Sequence, residues 1–442
     1  MIVNPYRRNV KTQSSPSLAT DVRPREVWAW AMYDFANSGY TTVVITAIFN
    51  AYFVAVVAGN APWATFAWTL ALGVSYALVM AVGPVLGAYA DAHAAKKRLL
   101  LFTTAGCVLF TAGLASVGPG DLRSGIALIV LSNFFYSCGE NLIAAFLPEL
   151  ARGRALGKVS GWGWSLGYLG GLLALGLCLA YVTWAEGRGQ PATRYVPVTM
   201  LITAGLFILA SLPTFLLLRE RTQPRLDAGA HRLVAEAFAR LGHTLRHTRR
   251  YRDLARFLLC IVFYQAGIQA VVALAAIYAQ QVVHFDTRDT LMLILVVNVT
   301  AAVGAFFFGS VQDRIGHIPT IALTLAGWLV MIGLAWAARG PGLFWVAANL
   351  AGLCMGASQS AGRALVGLLS PPARLAEFFG LWGLAVKFSS ILGPVTYGLV
   401  SWVSHGDHRL AILLTGGYFA IGLVILAGVD VKRGRRAALT AD

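Results

Sequence analysis

Charged side chains are scarce in this chain. Only 12% of its 442 residues are Asp, Glu, Lys or Arg, while 57% are hydrophobic. A soluble domain carries about 25% charged residues, so the chain lacks the polar surface that a water-soluble protein of this length needs. This scarcity excludes an ordinary soluble enzyme or binding module and predicts a protein of the lipid bilayer. The 46 glycines suit the close packing of membrane helices.

The residues that usually carry catalysis or bind metals are few and poorly placed for it. The five cysteines all fall inside apolar runs, which predicts small buried hydrophobes rather than disulfides. Six of the eight histidines fall in predicted loops and two at the ends of apolar runs. An intramembrane transferase or protease, the alternative class, needs a nucleophile and base or a metal-ligand cluster inside the membrane. We also find no glycine-rich phosphate-binding loop. We therefore predict no enzyme activity, no cofactor and no metal.

Twelve long apolar runs predict twelve transmembrane helices. They lie at about 28–57, 65–90, 99–117, 125–147, 160–182, 197–218, 254–283, 290–311, 319–337, 342–368, 378–403 and 409–430. The predicted fold is an all-α polytopic membrane protein. Its predicted parts are an N-terminal tail (1–26), a six-helix bundle (27–218), a basic linker with an amphipathic helix (219–253), a second six-helix bundle (254–431) and a basic tail (432–442).

The distribution of basic residues predicts the orientation. With a cytoplasmic amino terminus, 27 of the 35 Lys and Arg residues fall on the inner side, six fall in outer loops, and Arg363 and Lys387 fall within spans. This asymmetry follows the positive-inside rule, so the net charge of +16 indicates membrane topology rather than nucleic-acid binding. The first 26 residues lack the features of a cleaved signal peptide. We predict a bacterial inner-membrane protein with both termini in the cytoplasm.

The two halves repeat each other at a fixed offset. Asp91 and Asp313 lie 222 positions apart, each four residues after a glycine, and Gly170 and Gly393 lie 223 apart. A duplication of six spans joined by a long linker resembles the major facilitator superfamily, whose halves are parallel repeats about an axis along the membrane normal. The resemblance implies a major facilitator fold with two pseudo-symmetric halves.

Two short motifs resemble the loop 2–3 signature of that superfamily. One contains Gly87 and Asp91, and the second-half copy contains Gly309, Asp313 and Arg314. The glycines permit close approach of a neighbouring helix, and the carboxylate is suited to the positive start of a facing helix. We predict a conformational latch from these five residues; a solvated loop with positive-inside charges is the alternative.

Four further runs are similar to the vacuole-effluxer family, the autophagy-related amino-acid effluxers with many bacterial members. They are WAMYDFANSGY at 30–40, AFLPEL at 145–150, SGWGWSLGYLGG at 160–171 and EFFGL at 377–381. The resemblance covers the chain from about residue 26 to 430. It implies a transporter of amino acids or similar small organic solutes.

Charged residues inside apolar spans are costly and usually mark a transport pathway. Asp34 in span 1 and Glu140 in span 4 lie at similar predicted depth. Spans 1 and 4 line the central cavity in the superfamily, so the resemblance places the two carboxylates near each other. Two carboxylates in a low-dielectric site favour proton binding, which makes both residues candidates for proton coupling.

The second half supplies the opposite charge. Arg363 lies 223 positions after Glu140, and Lys387 lies in span 11. An acidic wall facing a basic wall suits a zwitterion such as an amino acid, or closes on itself as an ion pair when empty. The interpretations that compete with substrate binding are local capping or structural pairing for the carboxylates, snorkelling for Lys387 and interfacial anchoring for Arg363.

Uncharged polar residues complete the predicted substrate site. Spans 1 and 7 line the cavity by analogy, which selects Asn37, Tyr40, Gln265 and Gln269 as binding candidates. Interhelical hydrogen bonds are the alternative for each of them.

The sequence as a whole predicts a secondary active transporter. We expect it to move an amino acid or a similar zwitterion or anion by alternating access, with proton coupling. A transporter of lipids, lysolipids or siderophore-like cargo on the same fold is the alternative. The expected partners are a small-molecule substrate, protons and membrane lipids, with no nucleic acid; the sequence predicts no oligomeric state.

Overall fold

A computed structural model describes residues 18, 21–59, 61, 64–151, 155–221, 251–285, 287–404 and 407–440. Twelve helices in these ranges are long and apolar enough to cross a membrane, which confirms the all-α prediction and the twelve spans. They are α1 (Pro24–Val57), α2 (Ala64–His93), α3 (Lys96–Gly113), α4 (Leu122–Ala144), α5 (Ala155–Glu186), α6 (Ala192–Leu217), α7 (Arg252–Val282), α8 (Thr287–Ile315), α9 (His317–Ala337), α10 (Pro341–Leu369), α11 (Leu375–Val403) and α12 (His408–Ala427).

Helix α1 begins earlier than its hydropathy indicates. Pro24 occupies its first turn, and the Glu26 carboxylate accepts a hydrogen bond of 3.3 Å from the backbone N–H of Arg23, which caps the helix within the polar tail. Asp34 therefore lies ten residues after the start, about 15 Å into the helix at 1.5 Å per residue. Past Tyr40 the span continues through two π-helical stretches, Thr41–Ala47 and Phe53–Val57. The first stretch opens with six consecutive β-branched residues, which crowd an α-helical backbone.

Glycines let α5 pack closely against two different neighbours. A Cβ at Gly163, Gly167 or Gly171 would meet side-chain or backbone atoms of α1. A Cβ at Gly161 would meet the backbone of α8, and a Cβ at Gly309 on α8 would meet the backbone of α5. The first set packs α5 within its own half, and the second joins the two halves of the molecule.

The same packing recurs in the second half. The Cα of Gly170 lies so close to α1 that a Cβ would clash with the carbonyl of Phe35, and Gly393 on α11 bears the same relation to the carbonyl of Ala266 on α7. Gly170 and Gly393 are the repeat partners identified from the sequence offset. The contact between α1 and α5 is thus reproduced by α7 and α11, as expected of two six-helix halves with a common origin.

The side of the bundle at which α1 begins and α12 ends is called the terminal side below. Because the spans alternate in direction, α5 begins on this side and α8 and α10 end on it. Hydrogen bonds join the halves on this side. The Ser160 hydroxyl donates to the carbonyl of Ser360 at 2.9 Å, and the Ser165 hydroxyl donates to that of Ala302 at 2.8 Å. The halves are therefore in direct contact on the terminal side.

The linker and the tail meet the bundle through charged contacts. Glu220 accepts hydrogen bonds from the backbone N–H groups of Lys96 and Lys97, which begin α3. The amphipathic linker helix predicted within 219–253 lies mostly outside the described residues. The predicted basic tail contains a short helix, α13 (Val431–Leu439), whose Arg433 donates two hydrogen bonds of 2.7 Å to Asp253 at the start of α7.

Candidate functional site

Arg363 on α10 forms a first charged contact between the halves, with groups of the first half. Its Nη1 donates to Oδ2 of Asp34 on α1 at 2.7 Å. Its Nε donates to the hydroxyl of Ser160 on α5 at 3.2 Å, and its Nη2 donates to the Ser160 carbonyl at 3.0 Å. All three guanidinium nitrogens thus bind groups of the opposite half.

Two indole rings flank this guanidinium. Its central carbon lies 4.7 Å from the ring centroid of Trp30 on α1 and 5.3 Å from that of Trp164 on α5. A cation over an aromatic face is worth about 2 kcal/mol when desolvated. Arg363 is 3% exposed, so it is buried among the helices of the bundle. A planar, multiply bonded guanidinium fixes the relative position of α1, α5 and α10.

The second charged contact joins Lys387 on α11 to Glu140 on α4. The Lys387 Nζ donates to the Glu140 Oε2 at 3.0 Å. The same ammonium lies 5.1 Å from the ring centroid of Tyr76 on α2 and 5.7 Å from that of Tyr136 on α4. A carboxylate and two aromatic rings, all from the first half, therefore surround one cation of the second half.

The two pairs differ in accessibility. The side chains of Arg363 and Asp34 are 3% and 12% exposed, and those of Lys387 and Glu140 are 7% and 21% exposed. Glu140 is thus the more exposed of the two carboxylates. Each carboxylate pairs with its own cation from the other half. This is the ion-paired arrangement that we expected from the sequence as one possibility for a site without substrate.

The uncharged candidates lie in three different settings. Asn37 is buried on α1, and its Oδ1 has no hydrogen-bond partner among the described residues. Tyr40 is fully buried, bonds Ser132 at 2.9 Å and stacks on Tyr136 with ring centroids 4.9 Å apart.

Gln265 and Gln359 form a reciprocal amide pair between α7 and α10, within the second half. Gln269 lies about one helical turn further along α7 and is half-buried. For Gln265, this amide pair is the interhelical hydrogen bond that the sequence offered as the alternative to substrate binding. Among the described residues, no hydrogen bond links Gln265 or Gln269 to either ion pair.

The two predicted latch motifs make different contacts. Asp313 accepts a 3.1 Å hydrogen bond from the backbone N–H of Lys158 in the first turn of α5, and Gly309 packs on α5 one helical turn away. This contact crosses between the halves and places a carboxylate at the positive end of a helix. Arg314 next to it is exposed.

Asp91 of the first-half motif pairs with a cation of its own half. Asp91 lies 3.8 Å from the Nζ of Lys96, which also bonds Glu149 at 2.6 Å. Gly87, one turn before Asp91, is buried in α2. The Asp313 carboxylate thus reaches the opposite half, whereas the ion pair described for Asp91 is with Lys96 of its own half; α2 itself packs against α11 of the second half, where Gly380 approaches the carbonyl of Gly83.

Sequence reasoning missed the aromatic side chains of the site. Trp30 precedes Asp34 by four residues, and Tyr136 precedes Glu140 by four. Residues four apart lie on one helix face, so a search for aromatic residues one turn from each intramembrane carboxylate finds both. No such spacing identifies Tyr76 or Trp164, because the helices that carry them are brought to the cations only by tertiary packing.

Solved structures share this fold. The crystal structure of the Escherichia coli fucose:proton symporter FucP superposes with a TM-score of 0.70 at 14% identity, over 92% of this chain and 98% of that one. Together with the twelve spans and the charged contacts between the halves, this similarity defines an integral membrane protein with the fold of the major facilitator superfamily.

Sequence comparison identifies the family. The family model described as vacuole effluxer Atg22 like matches residues 54–157 and 154–439, and the chain belongs to this family. The protein is therefore a transporter of the major facilitator type rather than an enzyme.

Its relatives are bacterial and fungal. The uncharacterized MFS-type transporter YxiO of Bacillus subtilis is 26% identical over 406 residues, which are 91% of this chain and 94% of that protein. Autophagy-related protein 22-1 of Neosartorya fischeri is 28% identical over 306 residues, 64% of this chain. The chain spans about half (49%) of the length of this fungal relative.

Proposed function

We propose that this protein is a proton-coupled secondary transporter of an amino acid or a similar small zwitterion. The observation that supports the proposal most directly is the pair of charged contacts inside the membrane, Asp34 with Arg363 and Glu140 with Lys387. Each contact has its acid on the first half and its base on the second.

Alternating access requires the halves to separate on the terminal side. Separation breaks both ion pairs, and an unpaired charge left in a low-dielectric site costs several kcal/mol. A proton on a carboxylate, or a substrate charge in place of the lost partner, removes that cost. A zwitterion carries both signs and satisfies an acid and a base together, whereas a neutral solute leaves the charges uncompensated.

The terminal side is cytoplasmic in this proposal, which follows from the basic residues that flank the spans on that side. The closed contacts there then correspond to an outward-facing state in the bacterial inner membrane. The fucose:proton symporter with the same fold couples its solute to protons, and the family description names effluxers. Both support the proposed class of activity for this chain.

The test is uptake of radiolabelled amino acids and peptides into proteoliposomes with and without a pH gradient. Wild type is compared with Asp34→Asn, Glu140→Gln and, as a matched control, Glu186→Gln, which changes an exposed carboxylate at the end of α5. We expect accumulation of a solute that depends on the gradient in wild type and in the control. We expect one of the two site variants to lose accumulation and to retain solute exchange, since exchange requires no net proton movement.

Two results contradict the proposal. If no amino acid or peptide moves under any condition, the substrate class is wrong. If a solute accumulates equally with and without the gradient, proton coupling is wrong.

A further inference from the structure

The ammonium group of Lys387 sits in a site whose chemistry is that of an ammonium-binding cage. The Glu140 carboxylate contacts it at 3.0 Å, and the rings of Tyr76 and Tyr136 lie within 5.7 Å of it. A carboxylate combined with aromatic faces is a general arrangement for recognising organic cations. In this structure the cage is filled by a side chain of the protein itself.

The cage is built by the first half alone. Tyr136 and Glu140 lie one turn apart on α4, and Tyr40 on α1 stacks on Tyr136 at 4.9 Å and is held by its own hydrogen bond to Ser132. The Tyr136 ring is thus positioned by contacts that do not involve α11. When Lys387 leaves, Glu140 and Tyr136 on α4 remain in place for another cation.

Lys387 is held less firmly than the other intramembrane cation. Arg363 donates three hydrogen bonds to the opposite half and lies between two indole rings. The described contacts of Lys387 with the first half are one hydrogen bond and two ring faces, at the end of a flexible four-carbon chain. The carboxylate that it binds is also the more exposed of the two. A ligand therefore reaches and replaces Lys387 more easily than Arg363.

We propose that Lys387 occupies the substrate's amino-group site, and that the substrate ammonium displaces it from Glu140, Tyr76 and Tyr136. The displaced Lys387 then pairs with the substrate carboxylate. This deepens the proposed function and rests on it: Glu140 and Lys387 recognise the two ends of a zwitterion, and Asp34 with Arg363 holds the halves together.

Charge balance gives the proposal a measurable signature. A zwitterion separates Lys387 from Glu140 and supplies a partner for each. A simple amine satisfies Glu140 but leaves the Lys387 ammonium buried without a counter-ion, which is unfavourable. The wild type should therefore bind a zwitterion more tightly than the corresponding amine, and removal of the Lys387 charge should reverse that order.

The experiment measures dissociation constants by titration calorimetry in detergent with a matched set of probes. The set is L-leucine, 3-methylbutylammonium (leucine without its carboxylate) and 4-methylpentanoate (leucine without its amine). In wild type we expect L-leucine to bind at least about tenfold more tightly than either half-molecule. In Lys387→Gln we expect the amine to bind about tenfold more tightly than in wild type, because a tethered competitor is gone, and L-leucine to bind less tightly. Lys432→Gln on α13 is the control.

A second pair of variants keeps both charges and tests the cage if Lys387→Gln does not fold. Tyr76→Leu should weaken L-leucine binding about tenfold, whereas Tyr76→Phe, which keeps the ring, should bind as the wild type does. Equal binding by both Tyr76 variants overturns the cage. So does a Lys387→Gln protein that is folded and shows no gain for the amine.

Two further results separate this inference from the proposed function. If amino acids are transported but the amine gains nothing in Lys387→Gln, the cage fails and the proposed function stands. If sn-glycero-3-phosphoethanolamine binds the wild type better than L-leucine, the cage stands, and its ammonium comes from a lipid headgroup rather than an amino acid.

Discussion

Substitution of Arg363 by lysine is the sharpest test of how the terminal side is held closed. Lysine keeps the positive charge next to Asp34, so no buried carboxylate is left unpaired. It loses the planar fork that reaches Ser160 twice, at 3.2 Å and 3.0 Å, and most of the stacking between the two indoles. The variant therefore separates the geometry of the contact from its charge.

The magnitude follows from the lost contacts. Two hydrogen bonds at about 1 kcal/mol each and about 1 kcal/mol of reduced ring stacking amount to about 3 kcal/mol. All of these groups belong to opposite halves, so the loss falls on the state with a closed terminal side. A free-energy change of this size shifts a two-state equilibrium by about two orders of magnitude. An open state populated at about 1% in the wild type then becomes comparable to the closed one.

Electron paramagnetic resonance distances between two spin labels measure this shift. Cysteines introduced at Arg98 on α3 and Lys432 on α13 lie on the terminal side of opposite halves, and both positions are exposed. The five native cysteines are buried, which directs the label to the introduced sites. We expect one short distance in the wild type and a second, longer distance in Arg363→Lys.

Arg123→Lys, an exposed substitution on the far side, should leave the distribution unchanged. A folded Arg363→Lys protein with the wild-type distribution would refute the reasoning, since the guanidinium geometry would then not hold the halves together.

Three further predictions test the neighbouring contacts. Gly161→Ala places a methyl group against the backbone of α8 and should lower the melting temperature by several degrees, whereas Gly176→Ala, where a Cβ meets nothing within 4 Å, should leave it unchanged or raise it slightly; equal effects would contradict the close packing. Asp313→Asn removes a full charge from the start of α5, worth about 0.3–1 kcal/mol, and should raise the population with the longer spin-label distance by a few-fold at most. A population shift as large as that of Arg363→Lys would show that the carboxylate dominates the closure. Asp253→Asn breaks the paired bonds that hold α13 and should speed amide hydrogen exchange across 431–439 without affecting α12; unchanged exchange in α13 would show that its packing alone holds it.

The fold was predictable because its signals are local or repeated. Each apolar run is long enough to identify a membrane helix by itself, and the offsets between Asp91 and Asp313 and between Gly170 and Gly393 show the duplication. The start of α1 was misplaced by four residues because hydropathy does not detect the proline and the Glu26 cap that begin this helix among polar residues.

The charged residues of the candidate site were predictable, but their pairing was not. A charge within an apolar run stands out at once, so Asp34, Glu140, Arg363 and Lys387 are found from the sequence. The repeat offset matches Glu140 with Arg363, yet the structure pairs Arg363 with Asp34 and Lys387 with Glu140. Symmetry-related positions lie in equivalent places of different halves, and equivalence does not bring them into contact.

The sequence by itself determined the membrane location, the number of helices, the duplication and the presence of four charges within apolar spans. Each of these follows from composition or spacing along one chain. Only the tertiary structure decided which acid meets which base, that Asp313 reaches the start of α5, and that Tyr76 and Trp164 flank the cations. Those contacts join helices far apart in sequence, and their geometry depends on how closely glycine-lined helices approach, which no local pattern records.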